Sequence, residues 1–259
     1  MIPAGFDYLR ADSVDAAVAA LAEHGDEAKL LAGGHSLIPL LKLRLATPTV
    51  VVDIGEINDL DYIRDAGDHL AIGAATKHHD VATSDLVQAQ VPLLARATAN
   101  VGDPQVRNRG TLGGSVAHGD PAGDHPAVML ATRASVVVQS VKGQREIAAD
   151  DLFTGFLETS IAPDEMLIEV RVPKMPDAGW SFQKFNRRAQ DWAIVGVSAV
   201  VQNGTAGIGL VNMDSRPIRA AAAEAAHGSG ASVADAAAAA AEGANPPSDL
   251  NAEADYRNH

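Results

Sequence analysis

Along the first third of the chain, short apolar runs alternate with amphipathic ones. Phe6-Asp7-Tyr8 reads as extended, Ser13 can cap the amphipathic run from Val14 to His24, and Gly25 stops it. Lys29-Leu30-Leu31 then leads into Ala32-Gly33-Gly34-His35-Ser36, with a short helix expected from Leu37 to Arg44. The β-branched run Thr49 to Ile54 suits a buried strand, which completes a small α/β unit.

From Leu60 the texture changes. Tyr62-Ile63-Arg64 and His69-Leu70-Ala71-Ile72 flank the turn Asp65-Ala66-Gly67-Asp68 and predict a hairpin. Thr76 is expected to cap a helix beginning at Lys77, and Val91 to Ala99 reads as a further helix. Gly110 to Gly123 reads as a glycine-dense loop, Pro126 to Ala131 as helix, and Ser135–Ser140 and Glu165–Val172 as strands. Pro173 and Pro176 punctuate a boundary. Beyond it, Ser181–Asn186, Ala193–Gln202 and Gly207–Val211 are spaced as an antiparallel meander. The alanine-rich tail predicts packed helices at 220–226 and 233–242, separated by Gly228-Ser229-Gly230, and another from near Ser248. The sequence is expected to continue past His259.

Composition narrows the chemistry. The 259 residues include no cysteine, which excludes disulfides, thiolate metal sites, a cysteine nucleophile and Cys-ligated iron–sulfur clusters. Redox work would require an organic cofactor or a partner chain. Twenty Lys and Arg stand against 33 Asp and Glu, a net charge of −13, the opposite of a nucleic-acid binder. The first residues carry neither a basic region nor an apolar run, and the best apolar stretch, Trp192 to Val201, is only strand-length. The expectation is a cytoplasmic protein, or a peripheral member of a larger assembly at the inner face of the membrane.

Two glycine clusters stand out: Gly33-Gly34-His35-Ser36 and Gly110-Thr111-Leu112-Gly113-Gly114-Ser115. Each can be an ordinary tight turn, or a loop that lets backbone N–H groups approach an anion. As a pair, each ending in a small hydroxyl residue, they suggest a diphosphate held from two sides. Walker, Rossmann and nucleophile-elbow patterns are absent. His118, Asp120, Asp124 and His125 offer oxygen and nitrogen donors but no outlying ligand pair, so no metal site is assigned; His78-His79 reads as a helix start. No strong acid–base set identifies a catalytic residue.

Ala32-Gly33-Gly34-His35-Ser36 and Thr111-Leu112-Gly113-Gly114 resemble the paired AGGHS and TIGG signatures of the FAD-binding medium subunits of molybdenum hydroxylases, with Leu112 in place of isoleucine. Pro39 to Arg44, Gly73 to Thr76 and Val106 to Gly110 also fit, and the similarity is greatest to the aerobic carbon monoxide dehydrogenase branch. The resemblance implies an α+β, vanillyl-alcohol-oxidase/PCMH-type FAD-binding fold. Two α/β FAD-binding subdomains (1–57 and 58–175) would precede a small C-terminal α+β flavoprotein domain (176–259). It implies non-covalent FAD, with Ala32 to Ser36 and Thr111 to Ser115 holding the pyrophosphate through N–H groups and two hydroxyls. Asp124 would bond the nucleotide portion, Leu167 would supply apolar contact, and Lys184 would lie near the flavin ring. On the residues alone, Lys184 reads equally as a surface lysine on an edge strand. Asp191-Trp192 lies near the flavin pocket in this reading, with Trp192 open to a core or interface role.

The resemblance further implies an oxidoreductase in which substrate, most simply carbon monoxide, is oxidised at a molybdenum cofactor on a large subunit. Electrons would pass through [2Fe–2S] clusters of a small subunit to FAD here, and on to an acceptor such as a quinone, in an (αβγ)2 heterohexamer. The alternatives are the FAD subunit of a purine or N-heterocycle hydroxylase, a self-sufficient flavin oxidoreductase, and a non-redox nucleotide-binding module.

Overall fold

A computed structural model describes residues 2–259. Strand β1 (Asp7–Arg10), helix α1 (Val14–His24), strand β2 (Ala28–Leu31), helix α2 (Leu37–Leu43) and strand β3 (Val50–Asp53) form the first unit. Its sheet is wholly parallel, in the order β1-β3-β2. The caps fall where the sequence puts them: Ser13 Oγ accepts the Ala16 N–H at 3.2 Å, and Gly25 ends α1 with φ +54°. Val50, Val51 and Val52 are buried in the central strand, as expected of a β-branched run.

The second unit opens with the hairpin β4 (Ile63–Asp65) and β5 (His69–Gly73). Helices α3 (His78–Thr83), α4 (Asp85–Gln90), α5 (Pro92–Ala99), α6 (Pro104–Arg107), α7 (Leu112–His118) and α8 (Asp124–Ala131) follow. Strands β6 (Ser135–Ser140) and β7 (Gly143–Ala148), helix α9 (Ala149–Leu152), the small pair β8 (Phe153–Gly155) and β9 (Glu158–Thr159), and strand β10 (Met166–Pro173) complete it. The main sheet is antiparallel, in the order β4-β5-β10-β6-β7.

Three expectations are corrected in this unit. Thr76 does not cap α3. Its hydroxyl donates to the Tyr62 carbonyl at 3.0 Å and accepts the Tyr62 N–H at 3.2 Å, so it ties the chain back to the hairpin while Lys77 takes the cap position. Residues 110–123 are not one loop: α7 stands inside them, because Thr111 Oγ1 caps the Gly114 N–H at 3.1 Å and Leu112 and Val116 face the core. The helix expected at Pro126 starts two residues earlier, at Asp124.

The last unit is the meander β11 (Gly179–Phe185), β12 (Val195–Gln202), β13 (Thr205–Val211) and β14 (Ile218–Arg219), antiparallel in that order. Helices α10 (Ala221–Gly228) and α11 (Val233–Ala238) bury Ala223 and Ala236. The helix expected from Ser248 is only α12 (Ala254–Asn258); before it, Asp249 turns back to accept the N–H groups of Asn251 and Ala252. No described helix is long and apolar enough to cross a membrane.

Helix α8 is buried along its whole length and lies against β13. The contact is backbone on backbone: a Cβ on Gly209 would overlap the Ala127 carbonyl oxygen, and one on Gly207 that of Ala131. Gly209→Ala should therefore cost about 1–3 kcal/mol by forcing the sheet off the helix. Gly228→Ala, in α10 with open space around it, should cost nothing. Urea unfolding midpoints of the two variants test this; equal midpoints would refute the tight contact.

Candidate functional site

A cavity of about 700 Å³ lies where the three units meet. Ala32, Gly33, Gly34, His35 and Ser36 line it from the first unit. Thr111, Gly113, Gly114, Ser115, Asp124 and Leu167 line it from the second, and Lys184 from the third. Of the residues expected in the site, only Leu112 lies outside: its side chain is fully buried in the main core.

The first glycine loop keeps its backbone N–H groups unspent. Gly34 takes φ +76°, open to glycine at little cost. A Cβ on Gly33 would overlap the Arg109 carbonyl oxygen and stand 2.7 Å from Gly110 Cα, so glycine there lets the two loops meet. The N–H groups of Gly33, Gly34, His35, Ser36 and Leu37 have no acceptor among the described residues; the first spent inward is that of Ile38, on the Gly34 carbonyl at 3.0 Å. Successive free N–H groups give strong local positive potential without formal charge.

The second glycine loop is built differently. Leu112 N–H goes to the Thr76 carbonyl and Gly113 N–H to that of Ala74, both at 3.0 Å. Gly114 N–H is held by Thr111 Oγ1, and Ser115 N–H by the Thr111 carbonyl at 3.0 Å. Gly113 is glycine because a Cβ would fall 2.6 Å from the Ala74 carbonyl oxygen, and Gly110 because one would fall 2.7 Å from the His78 ring. The picture of N–H groups closing on a diphosphate from both sides is therefore corrected. The first loop offers N–H groups, whereas the 112–115 N–H groups are consumed in seating α7, leaving hydroxyls on that side.

Lys184 is not a surface lysine. Its Nζ lies 2.8 Å from Asp124 Oδ2 and donates to the Asn100 carbonyl at 3.2 Å, with the two side chains only 9% and 4% exposed. Burial raises the Asp124 carboxyl above the usual range, opposed by the Lys184 charge. Asp124 Oδ1 is buried with no partner, an acceptor awaiting a donor.

Behind this pair, the His78 and His125 rings stack at 4.7 Å. Burial pushes His78 down to about 4 and His125 well below its ordinary value, so both are neutral at physiological pH. Both His125 nitrogens are engaged, at 3.0 Å each, by Ser115 Oγ and Thr98 Oγ1, which leaves that ring no free electron pair for a metal. No cluster of three or more metal-type ligands occurs among the described residues. Asp191 and Trp192 line the cavity; Asp191 is paired with Arg188 at 2.9 Å, and Trp192 is 62% exposed rather than part of a core. Sequence reasoning missed His78 as a lining residue, along with Thr159, Ile161 and Glu165. These are brought in by chain reversals that no local motif announces.

Residues 4–175 match the family described as the FAD binding domain in molybdopterin dehydrogenase, and 180–259 match the CO dehydrogenase flavoprotein C-terminal domain. The carbon monoxide dehydrogenase medium chain of Hydrogenophaga pseudoflava is 45% identical over 78% of this chain and 71% of its own. The 6-hydroxypseudooxynicotine dehydrogenase complex subunit alpha of Paenarthrobacter nicotinovorans is 44% identical over 78% and 68%. A solved carbon monoxide dehydrogenase from H. pseudoflava, lacking the Mo-pyranopterin moiety, superposes with TM-score 0.94 at 43% identity, covering 100% of this chain and 93% of that one.

The ion pair yields a signed prediction. Lys184→Met leaves Asp124 buried and unpaired, and should destabilise the fold by about 3–5 kcal/mol at neutral pH. The folded-state pKa of Asp124 is already raised, so its stabilising contribution is present at low pH and lost as pH rises through that pKa. Removing the lysine raises it further, so the deficit of the variant should shrink as pH falls. Denaturation curves across acid and neutral pH test this; a deficit that does not change with pH would refute it.

Proposed function

The chain belongs to the family of FAD-binding medium subunits of molybdenum hydroxylases, a dehydrogenase subunit, and from that premise we propose that it serves a carbon monoxide dehydrogenase. The residues fit FAD on their own terms: a run of free N–H groups for the pyrophosphate, an orphan buried carboxylate oxygen for a nucleotide donor, and a cavity spanning three units. Ala32 to Ser36 would hold the phosphates, with the Thr111 hydroxyl opposite them. Asp124 would take a donor of the nucleotide, Leu167 would pack an apolar face, and Lys184 would stand near the flavin ring. Bound FAD would supply a centre that takes up electrons one at a time and can release them singly or as a pair.

What the chain itself contributes is binding and electrostatics. Lys184 is a cation tethered to Asp124, so it acts on its surroundings as one end of a buried dipole, with a smaller pull on a reduced flavin than a bare charge would have. The two buried histidines are neutral and carry no proton to a substrate at physiological pH. This supports a division of labour in which substrate is oxidised elsewhere. A chain without cysteine cannot ligate iron–sulfur clusters through thiolates, so these and the molybdenum cofactor would sit on a small and a large partner subunit. Two copies of each chain, a quinone as acceptor and a position at the inner face of the membrane complete the proposal. The observation that carries carbon monoxide as substrate is the likeness to carbon monoxide dehydrogenase over the whole described chain. The 6-hydroxypseudooxynicotine dehydrogenase relative, at nearly equal identity, makes an N-heterocycle hydroxylase the second reading.

The absorption spectrum of the natively purified protein, with its co-purifying chains, tests this before and after exposure to carbon monoxide. Flavin bands that bleach on carbon monoxide are expected. Flavin bands indifferent to carbon monoxide would retain the FAD subunit and refute the substrate.

A further inference from the structure

The hydroxyls facing the cavity are not equivalent, and the difference is set from behind them. His125, the second residue of α8, is buried, with Nδ1 3.0 Å from Ser115 Oγ and Nε2 3.0 Å from Thr98 Oγ1. The single hydroxyl proton of Thr98 is spent on the Leu94 carbonyl at 2.7 Å, a group that can only accept. Toward the ring, Thr98 Oγ1 must therefore accept, and Nε2 carries the proton. An imidazole this buried, stacked on His78, stays neutral, so Nδ1 is bare. Ser115 must then donate its hydroxyl proton to Nδ1, and only its lone pairs remain for the cavity it lines. Thr111 is the reverse case: Oγ1 accepts the Gly114 N–H at 3.1 Å and keeps its own proton to give.

We propose that His125 is a positioning residue: by holding the Ser115 proton it makes Ser115 Oγ an acceptor for a hydroxyl of bound FAD, and leaves the phosphates to Thr111 and the N–H groups of 33–37. The assignment rests on the FAD reading above. A phosphate oxygen has no proton to offer Ser115, whereas FAD carries hydroxyls on both its ribityl chain and its adenosine ribose.

The test is the affinity of the full chain, purified with its co-purifying subunits and stripped of cofactor, for FAD and for analogues each lacking one ribityl or one ribose hydroxyl. Flavin fluorescence reads binding. The parent should lose about tenfold in affinity for one of these analogues, and which one it is separates the ribityl source from the ribose source. Ser115→Ala should show the same loss for FAD and no further loss for that analogue. His125→Leu frees the Ser115 proton, so Ser115 can donate as well as accept, and should weaken the discrimination between FAD and the analogue. His125→Gln, whose amide offers one acceptor and one donor, should restore it.

An equal loss by Ser115→Ala for FAD and every analogue is the signature of a phosphate contact and overturns the assignment. So does discrimination in His125→Leu as strong as in the parent. Should His125→Leu fail to fold, His125→Gln decides together with the Ser115→Ala series, discrimination lost in His125→Gln overturning the positioning role. A parent chain that takes up no FAD overturns the FAD reading and this assignment together.

Discussion

The cavity exists because two backbones approach where neither can carry a side chain. Gly33 sits against the Arg109 carbonyl and Gly110 Cα, so the loop after β2 touches the segment leading into α7 with nothing between them. That contact is local, yet it joins two separately built cores. The first holds Val18, Leu21, Val52 and Ile54 and borrows Ala75 and Met166 from the second unit; the other is centred on Leu70, Leu94, Leu112 and Val170. Any side chain at Gly33 would push the units apart at the point where the free N–H groups begin. Binding potential and close approach thus depend on the same few atoms.

A cavity suited to an anionic dinucleotide in a chain of net charge −13 needs a source of attraction other than bulk charge. The titratable groups around it are mostly cancelled. Lys184 is paired with Asp124, Asp191 with Arg188 and Glu165 with Arg145, and His78 is neutral. Lys29 and Asp120, which also line it, have no ion-pair partner among the described residues and oppose each other in sign, and the run of N–H dipoles from Gly33 to Leu37 is unspent as well. Fixed dipoles of this kind are oriented before a ligand arrives and are desolvated with it, so they discriminate by geometry where a mobile lysine would attract any anion.

Local grammar was readable where it rests on one or two residues. Ser13 and Gly25 bracket α1, the Asp65-Ala66-Gly67-Asp68 turn closes its hairpin with Gly67 N–H on Asp65 Oδ1 at 2.9 Å, and the final meander follows its alternation. It failed where tertiary contacts competed. Thr76 looks like a cap but is claimed by Tyr62, and the glycines at 113 and 114 look like loop but lie in the first turn of α7. Both misreadings share a cause: a residue with two possible backbone partners goes to the one that burial makes obligatory. The motifs located the cavity well, since Leu112 alone of the residues expected there points elsewhere. The partition of roles within it depended on which N–H groups and hydroxyls the fold had already used, and that is settled by contacts across the chain, such as Leu112 with Thr76 and Gly113 with Ala74.

Helix α8 ties these levels together. Its first two residues, Asp124 and His125, face the cavity and the Ser115 hydroxyl, while Ala127 and Ala131 further along receive Gly209 and Gly207 of β13 without any side chain between. The same terminal sheet returns to the cavity through Lys184 on β11, which reaches across to Asp124. The sheet is therefore pinned to α8 twice, by bare backbone contact at one end and by a buried ion pair at the other. A shift of the sheet along the helix would break the ion pair, and loss of the pair would leave a charged carboxylate buried at the start of the helix. The position of the third unit over the cavity is fixed by the electrostatics of the site as much as by apolar packing, and this couples cofactor-binding geometry to the stability of the whole chain.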